Sequence, residues 1–330
     1  MTKWMKAAFI CLLTGAALFV AGSMLGGSGI SINQNLKVIS ADDYKHYTYE
    51  NKELETFRAV DIDVSNVPVT FLPSENGKYG VEVSFRIVNE DDVRVEVKNK
   101  KLIIENRKNM FWMSWDFSFM KEDAIEEYVI VYLPAGEYED IVVETSNAAI
   151  EMDVSELQVK ELELNSSNAP IKILGAKCGE IVLDTSNASV ELKNVESDRL
   201  TLDTSNGPVM LEKVMAPVIK AETSNGKIEI LDSGFKNLVA DTSNSGITLK
   251  EPHLLSEDGE ISLITSNGEI SADFREYEEG DFKVKADTSN ADIYINDISL
   301  EKDDYVTKKG KVILKLDTSN QNIYLNFMEK

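Results

Sequence analysis

Carboxylates recur at one fixed place in this sequence and are its first candidates for chemistry. A Thr-Ser-Asn phrase (Ser-Ser-Asn once) occurs nine times, and the residue before it is acidic in seven copies. Stacked copies would align these carboxylates in an outward column, and oxygen ligands of this kind could hold Ca²⁺. The candidates are Asp184, Asp203, Glu222 and Asp241. We favour a structural role, because Asp beside a turn bonds nearby backbone N–H groups, and we predict no metal site and no cofactor.

Side chains with the usual catalytic patterns are sparse. The chain has 2 His, at His46 and His253, and it contains no nucleophile elbow, phosphate loop or His-Glu-x-x-His motif. Its serines follow the repeat, so structure explains their spacing. Two carboxylates in a groove can cleave glycans, and with 57 acidic residues that alternative stays open. We predict that the protein is not an enzyme.

An aromatic segment at residues 110–120 is the strongest candidate for a partner contact. Its aromatic residues are Phe111, Trp112, Trp115, Phe117 and Phe119. If they are exposed, such a cluster is typical of a site for a partner or a membrane interface. If they are buried, the segment plugs the end of the fold. Both interpretations stand at this point.

The elements that must position these residues are strands. When the copies are aligned on their Asn, the residues six and four before it and three and five after it are always apolar. Apolar residues two apart are the period of a strand, and the position three after the Asn is always β-branched, which favours strands further. Each copy therefore predicts a strand, a corner and a second strand. The corner asparagines are Asn147, Asn168, Asn187, Asn206, Asn225, Asn244, Asn267, Asn290 and Asn320.

A repeat near twenty residues indicates stacked units, because one unit alone cannot bury its apolar face. We predict an all-β fold, a parallel β-solenoid of about ten coils, whose Thr and Asn side chains point inward. The Asn amides should hydrogen-bond from coil to coil, and the corners should use the left-handed backbone that Asn and Gly tolerate. An isolated copy around Asn66 should start the solenoid.

Capping is expected at the ends, because an open solenoid end exposes unpaired strand edges. Alternating patterns at 79–106 and 126–133 predict longer strands. We therefore divide residues 56–330 into a sheet-like N-terminal cap, 56–135, and the Thr-Ser-Asn repeats, 136–330. The edge after Leu325 is predicted to be open, so it could pair end to end with another copy of the chain.

Residues 1–27 have a different composition. Lys3 and Lys6 precede an uncharged, mostly apolar run at residues 7–27, which is long enough to span a bilayer. The basic flank predicts that the N-terminus lies inside and the repeats outside. We favour a single uncleaved transmembrane helix, with a cleaved signal peptide as the alternative. The glycine-rich and polar residues 28–55 predict a flexible tether.

Charge and cysteine content narrow the partners. The 57 acidic and 34 basic residues give a net charge of −23, which argues against nucleic-acid binding. Cys11 lies in the predicted membrane segment, so Cys178 has no partner for a disulfide. We expect Cys178 to be a small buried apolar residue.

The region from about residue 55 to 326 resembles the bacterial family of candidate adhesins, repetitive β-solenoid domains of unknown function. The shared motifs are Asp61-Ile-Asp-Val-Ser-Asn-Val-Pro-Val-Thr70, Val129-Ile-Val-Tyr-Leu-Pro134 and the serial Asp-Thr-Ser-Asn repeats. With its N-terminal anchor the whole chain resembles LiaG-type membrane-anchored envelope proteins of Gram-positive bacteria, which are associated with envelope-stress operons. The resemblance implies the solenoid, a place at the bacterial cell membrane and a non-catalytic role, and it supplies no catalytic residues.

The sequence thus predicts a non-catalytic, membrane-anchored, extracytoplasmic interaction or scaffold protein of the bacterial cell envelope. Its expected partners are the membrane, through residues 7–27, and an unidentified envelope protein or glycan. One alternative is a surface adhesin or glycan-binding module that uses a flat outward face. The other alternative is a carbohydrate-active enzyme.

Overall fold

The computed structural model describes residues 29–33, 38–40, 43–106, 111–116, 126–153, 155 and 157–328, with the backbone alone at 29–33, 38–40 and 111–116. The predicted membrane segment lies outside the described residues. Within the described ranges, no helix combines the length and the apolar character needed to cross a membrane.

These ranges are almost entirely β-structure. The strands are, in chain order, β1 (Gly29–Asn33), β2 (Val38–Ser40), β3 (Lys45–Asn51), β4 (Ala59–Val64), β5 (Val69–Pro73), β6 (Gly80–Ile87), β7 (Val93–Lys98), β8 (Lys101–Asn106), β9 (Phe111–Asp116), β10 (Tyr128–Leu133), β11 (Gly136–Thr145), β12 (Ile150–Asp153), β13 (Leu157–Ser166), β14 (Ile171–Thr185), β15 (Val190–Thr204), β16 (Val209–Met215), β17 (Val218–Thr223), β18 (Ile228–Leu231), β19 (Gly234–Phe235), β20 (Asn237–Thr242), β21 (Ile247–Lys250), β22 (His253–Leu254), β23 (Gly259–Thr265), β24 (Ile270–Phe274), β25 (Phe282–Thr288), β26 (Ile293–Ile295), β27 (Ile298–Ser299), β28 (Asp304–Val306), β29 (Val312–Thr318) and β30 (Ile323–Phe327).

Successive copies of the repeat pair in parallel and in register. In every copy one strand ends at the Thr or Ser of the corner, and the next begins at the predicted β-branched residue three after the Asn. The strands before the corners form one ladder, which we name the pre-corner ladder, as in Leu202↔Ala221 and Ala221↔Ala240. Those after the corners form the post-corner ladder, as in Leu192↔Leu211. This pairing is the all-β, stacked arrangement that the repeat predicted.

The core is enclosed by these two ladders and by a shorter third one that joins them, as in Ala176↔Val195 and Val195↔Val214, and it is filled by the inward residues of each copy. Val190, Leu192 and Leu200 are completely shielded from solvent. The corner threonines also point inward, as predicted: Thr242 is fully buried, and its Oγ1 donates to the carbonyl of Gly226 at 2.9 Å. The repeat therefore satisfies its one inward polar group with a bond to the neighbouring coil, which keeps the cost of burying it low.

The prediction that the asparagines point inward is wrong. All nine corner asparagines and Asn66 are exposed, because the parity of the strand breaks at the corner. Their amides nevertheless form the predicted ladder, in which the Nδ2 of each corner asparagine donates to the Oδ1 of the asparagine stacked on its N-terminal side at 2.5–2.9 Å. The ladder is an external seam along the corners.

The corners do not use left-handed backbone either. No corner Asn, and none of Gly207, Gly226 and Gly268, has a positive φ in the described part of the chain. Glycine is needed there for a different reason: a Cβ on Gly207 would lie 1.7 Å from the carbonyl oxygen of Ala188 in the preceding coil. Close approach between coils, and not backbone handedness, selects glycine at these corners.

At the N-terminal end the isolated copy around Asn66 stacks on the first repeat. β4 pairs in parallel with β11, and β5 with β12. Beyond them the pattern becomes mixed, because β8 is parallel to β4 but antiparallel to β7, and β10 is parallel to β5 but antiparallel to β6. Longer antiparallel strands thus cover this end, where the alternating patterns at 79–106 and 126–133 predicted strands.

Part of the predicted tether is a strand. Residues 45–51 form β3, which pairs antiparallel with β6, and Tyr47 and Tyr49 pack against the core. The polar composition of residues 28–55 hid this strand, because its two apolar contacts are tyrosines. Nearer the N-terminus, β1 and β2 form a separate 3-stranded sheet together with β9.

At the C-terminal end the coils do not follow chain order. β29 pairs with β23 on one side and β25 on the other, and β30 lies likewise between β24 and β26. The last repeat, around Asn320, is therefore inserted between those of Asn267 and Asn290. The predicted open edge after Leu325 is wrong, since Leu325 pairs with both Ala272 and Ile295.

Candidate functional site

The aromatic segment is described only as backbone. Phe111–Asp116 forms β9, antiparallel to β1, with Trp115 opposite Ile30 and Phe111 opposite Asn33. Nothing is described of the side chains of Phe111, Trp112 and Trp115, and Phe117 and Phe119 lie outside the described residues. The partner-binding role of these five residues therefore stays a prediction. The structure does add that the segment pairs with residues directly after the predicted membrane segment.

The acidic column exists as a row along the pre-corner ladder. Asp184, Asp203, Glu222 and Asp241 are directly paired positions on neighbouring strands and are half-buried or exposed. Partial burial, and then repulsion from Asp184 and Glu222, raises the pKa of Asp203 above its usual value. The pKa of Asp241 is raised by burial and by Glu222.

The carboxylates of the column lie in a row and therefore do not surround a single cation. Carboxylates on parallel strands lie side by side along a line, about 4.8 Å apart, whereas a cation site needs its oxygens to surround one point. Among the described residues, no group of three or more His, Cys, Asp or Glu is placed to hold a metal ion. One cation does reach the column, since Lys220 bonds Glu222 at 2.7 Å.

A shallow polar groove follows the start of this column. Its volume is about 280 Å³, and acidic residues line one side and corner serines the other. The acidic lining residues are Asp63, Glu144 and Asp184. This groove offers repeated acceptors but little apolar surface.

The two histidines lie in separate parts of the fold, on β3 and β22. His253 Nε2 lies 2.7 Å from Asp232 Oδ1 on the surface. His46 Nε2 lies 2.9 Å from Ser84 Oγ, a Ser–His pair that no sequence motif indicated. Ser84 is buried, and its hydroxyl donates to the carbonyl of Glu126 at 2.5 Å. In this arrangement the Ser84 hydroxyl is directed to the backbone carbonyl and not to the imidazole, so the pair lacks the hydrogen bond that a nucleophile donates to its base.

Cys178 is the small buried residue that the sequence predicted. It is 9% exposed in the core between Val159 and Ser197, its paired neighbours. Burial raises the pKa of its thiol to about 12. Because the thiolate is the reactive form, Cys178 contributes packing and not chemistry.

The coils between Ile171 and Lys250, which we name the regular coils, carry a surface pattern that the sequence did not lead us to predict. Lysines pair with an acid 19 residues further on, which is the residue stacked in the next coil. The pairs are Lys172–Glu191, Lys177–Glu196, Lys193–Glu212 and Lys213–Asp232. The sequence shows this pattern as a Lys followed by an Asp or Glu at the repeat distance of 19 residues. It would have predicted which outward side chains stack on each other in neighbouring coils.

Parallel ladders, an external Asn seam and an inward apolar repeat define a solenoid repeat protein. The sequence identifies the family: the chain belongs to the Toastrack DUF4097 family, whose sequence profile matches residues 57–326. Comparison with curated proteins gave no match.

Several solved structures are similar at low identity. A candidate adhesin from Bacteroides fragilis is 11% identical with a TM-score of 0.41, covering 86% of this chain and 97% of that one. A candidate adhesin from Parabacteroides merdae is 13% identical with a TM-score of 0.39, covering 68% and 95%. A protein from Parabacteroides distasonis described as a candidate lipid-binding protein is 14% identical with a TM-score of 0.36, covering 86% and 97%. None of these similarities bears on what this chain binds.

Proposed function

We propose that this protein is a non-catalytic interaction module that a membrane anchor displays on the outer side of the bacterial cell envelope. The observation that carries the proposal is that inward and outward positions of each coil behave differently. The inward positions Ile173, Leu192 and Leu211 stay apolar from one coil to the next. The outward neighbours in the same strands change from Lys172 to Glu191 to Met210. A constant frame with a variable surface is the arrangement by which solenoids build extended binding faces.

The anchor in this proposal is the apolar run at residues 7–27. β1 begins at Gly29, two residues after that run ends, and pairs with β9 of the aromatic segment. If residues 7–27 span the bilayer, this pairing holds the aromatic segment close to the membrane surface. We therefore assign the aromatic segment to a membrane-proximal partner. The link to envelope stress is part of the proposal and is supported by the resemblance of the whole chain.

The test is a crosslinking pull-down from membranes. The intact chain is compared with a variant in which Phe111, Trp112, Trp115 and Phe117 are changed to Ser. A matched control changes Met210 on β16 and Ile264 on β23, apolar residues that are each 37% exposed, to Ser. Circular dichroism checks that all three chains fold.

The proposal expects a specific partner that the intact chain and the control retain and the aromatic variant loses. A folded aromatic variant that keeps the partner would contradict the assignment of the aromatic segment. An unfolded aromatic variant would make the segment a structural plug. A chain that fractionates with the cytoplasm would contradict the anchored module itself.

A glycan-binding module is the second candidate, and one observation favours it. Tyr294 and Tyr324 stack at 4.8 Å with an interplanar angle of 18° on the outward side of β26 and β30. Asn322 Nδ2 donates to the hydroxyl of Tyr324 at 3.0 Å and fixes that ring. A half-buried aromatic pair beside amide groups can take a sugar ring by stacking and hydrogen bonds. A glycan array probed with the intact chain and a Tyr294→Ala/Tyr324→Ala variant would decide, and equal binding of the two would remove the candidate.

A further inference from the structure

A pocket of about 630 Å³ opens at the C-terminal end of the solenoid, beside the last coil. Phe282 and Phe327 close its floor and are themselves buried. The apolar surface that a ligand could reach comes from Ile295, which is half-buried, and Met328, which is 46% exposed. The pocket therefore has an apolar side with no described residue covering it.

The lining of the pocket is also cationic. Lys308 and Lys309 line the pocket, and neither has a carboxylate within ion-pair distance among the described residues. This differs from the coils between residues 160 and 250, where each lysine forms an ion pair. The carboxylate in the pocket, Glu279, accepts the hydroxyl of Tyr305. Glu279 keeps its negative charge in that bond, so the two ammonium groups outnumber the one carboxylate in the pocket lining.

The loop that carries these lysines is fixed on both sides. Before them, Thr307 Oγ1 donates to the carbonyl of Phe282 at 3.1 Å and accepts the N–H of Val284 at 2.9 Å. After them, Gly310 has φ +106, and a Cβ there would lie 2.2 Å from the carbonyl carbon of Phe282. Lys311 N–H then donates to the carbonyl of Asp281 at 3.0 Å. The backbone of Lys308 and Lys309 is therefore held in place before any ligand arrives.

A second pocket shows that this arrangement is not general. The 530 Å³ pocket in the N-terminal cap is also lined by two lysines, Lys52 and Lys78. Lys52 pairs with Glu50 at 2.8 Å and with Glu82 at 3.3 Å, and Lys78 pairs with Glu53. Both lysines of that pocket are therefore already paired with carboxylates. Lys308 and Lys309 have no such partner among the described residues, so the terminal pocket is the better candidate for an anion site.

From this geometry we propose that the C-terminal pocket binds a single-chain amphiphile with an anionic head group. The head group lies between Lys308 and Lys309, and the apolar chain lies against Ile295 and Met328. Charge-assisted hydrogen bonds position the anion, and burial of the chain adds affinity in proportion to the apolar area removed from water. The site goes beyond the proposed interaction module and does not depend on the aromatic segment.

The test is calorimetric titration of the full chain with octyl phosphate, inorganic phosphate and octyl glucoside, each kept below its micellar concentration. Two variants separate the head group from the chain: Lys308→Gln/Lys309→Gln and Met328→Ser. The matched control is Lys283→Gln/Lys285→Gln, because these lysines also lack an ion-pair partner among the described residues but do not line the pocket. Thermal unfolding monitors the fold of every variant.

The proposal expects one octyl phosphate site that the control retains. Lys308→Gln/Lys309→Gln should weaken it by about tenfold or more, as loss of a charge-assisted bond does. Met328→Ser should weaken octyl phosphate by about threefold and leave inorganic phosphate unchanged, a loss of the size expected for a partly exposed apolar contact. Equal affinity for inorganic and octyl phosphate, equal binding by the double lysine variant, or no binding by the folded full chain would each overturn the proposal. None of these outcomes touches the membrane pull-down, so the two proposals fail separately.

Discussion

The regular coils between Ile171 and Lys250 and the C-terminal end beyond Phe282 are built from the same repeat but differ in what they leave unsatisfied. In the regular coils β14 and β15 pair over their whole lengths, and each lysine has an acidic neighbour. At the end the coils are out of chain order, β27 pairs antiparallel with β26 and β28 with β25, and Ile298 and Val306 are 68% and 56% exposed.

This difference indicates that the regular coils provide stability and that the irregular end provides the groups for recognition. A middle coil contacts an equivalent coil on each side, so its strands, its Asn amides and its charged side chains all find partners in those neighbours. An end coil has one neighbour, and its remaining groups need other partners. Regularity thus supplies the frame. In the proposal above, the irregular end supplies the ligand with apolar surface and with Lys308 and Lys309, which have no ion-pair partner among the described residues.

Removing a core side chain from a middle coil should have the largest effect. Leu202 is 1% exposed, and Leu202→Ala should lower the free energy of unfolding by about 2–5 kcal/mol through lost burial and the cavity left behind. Ile298→Ala at the end should change it by less than about 0.5 kcal/mol. Urea denaturation of both variants measures the contrast, and similar losses would show that the end is as tightly packed as the middle.

A methyl group at a corner glycine should have the next largest effect. Gly207→Ala places a Cβ 1.7 Å from the carbonyl oxygen of Ala188, so the coils must separate locally, at a cost of about 1–3 kcal/mol. The matched control is Gly136→Ala, because a Cβ there meets nothing within 4 Å. Thermal unfolding should show a clear loss for the first and almost none for the second. A neutral Gly207→Ala would contradict the close approach of the coils.

The Asn seam should show the difference between a middle and an end position. Asn225 donates to Asn206 and accepts from Asn244, both at 2.7 Å, so Asn225→Ala should cost about 1–2 kcal/mol. Asn290 donates to Asn320 at 2.9 Å, and no described residue donates to its Oδ1. Asn290→Ala should therefore cost about half as much. Equal losses in denaturant titrations would mean that the seam contributes nothing beyond each local corner.

The acidic column should give the smallest effect. Because the pKa of Asp203 is raised in the folded state, its charge opposes folding above that pKa, and the penalty disappears as the carboxyl is protonated. Asp203→Asn should stabilise the protein at pH 7 by no more than about 1 kcal/mol, since the side chain is exposed. The gain should shrink as the pH falls through the raised pKa and vanish below the ordinary range of Asp, about 4.

Asn165 supplies the reverse experiment, because it occupies the same column between Glu144 and Asp184. Asn165→Asp should destabilise the protein at pH 7, and 1 M NaCl should reduce both changes by screening. Denaturation at several pH values and salt concentrations measures them. A stabilising Asn165→Asp would mean that the column binds cations from solution.

The repeat offsets predicted much of the fold. Apolar positions relative to each Asn located the strand starts, the inward Thr and the amide ladder, because burial imposes the same period in every coil. The exposure of Asn147 and its equivalents could not be read from that period, since the chain turns between the Thr and the next strand. The need for glycine at Gly207 depends on a contact with Ala188 that exists only after stacking.

The order of the terminal coils could not be predicted, for a specific physical reason. All copies share the same register, so the strand around Leu316 can pair equally well with Leu263 or with Ala286, and it pairs with both. The connecting loops decide the order, and sequence patterns say little about loop paths. The terminal pocket was missed for a related reason: Lys308 and Lys309 are visible in the sequence, but whether a carboxylate reaches them is settled only in three dimensions.

The most direct test of this account is the order of the coils at the C-terminal end. In a chain with Cys11→Ser and Cys178→Ala, one variant carries Ile264→Cys with Asp317→Cys and another carries Ile264→Cys with Asp287→Cys. Position 317 is paired with both 264 and 287, so 264 and 287 lie about 10 Å apart, two strand spacings, which is beyond the reach of a disulfide, about 7 Å. Mild oxidation should crosslink the first pair and not the second. Crosslinking of the second pair alone would show that the coils stack in chain order and would contradict the inserted last repeat and the pocket that depends on it.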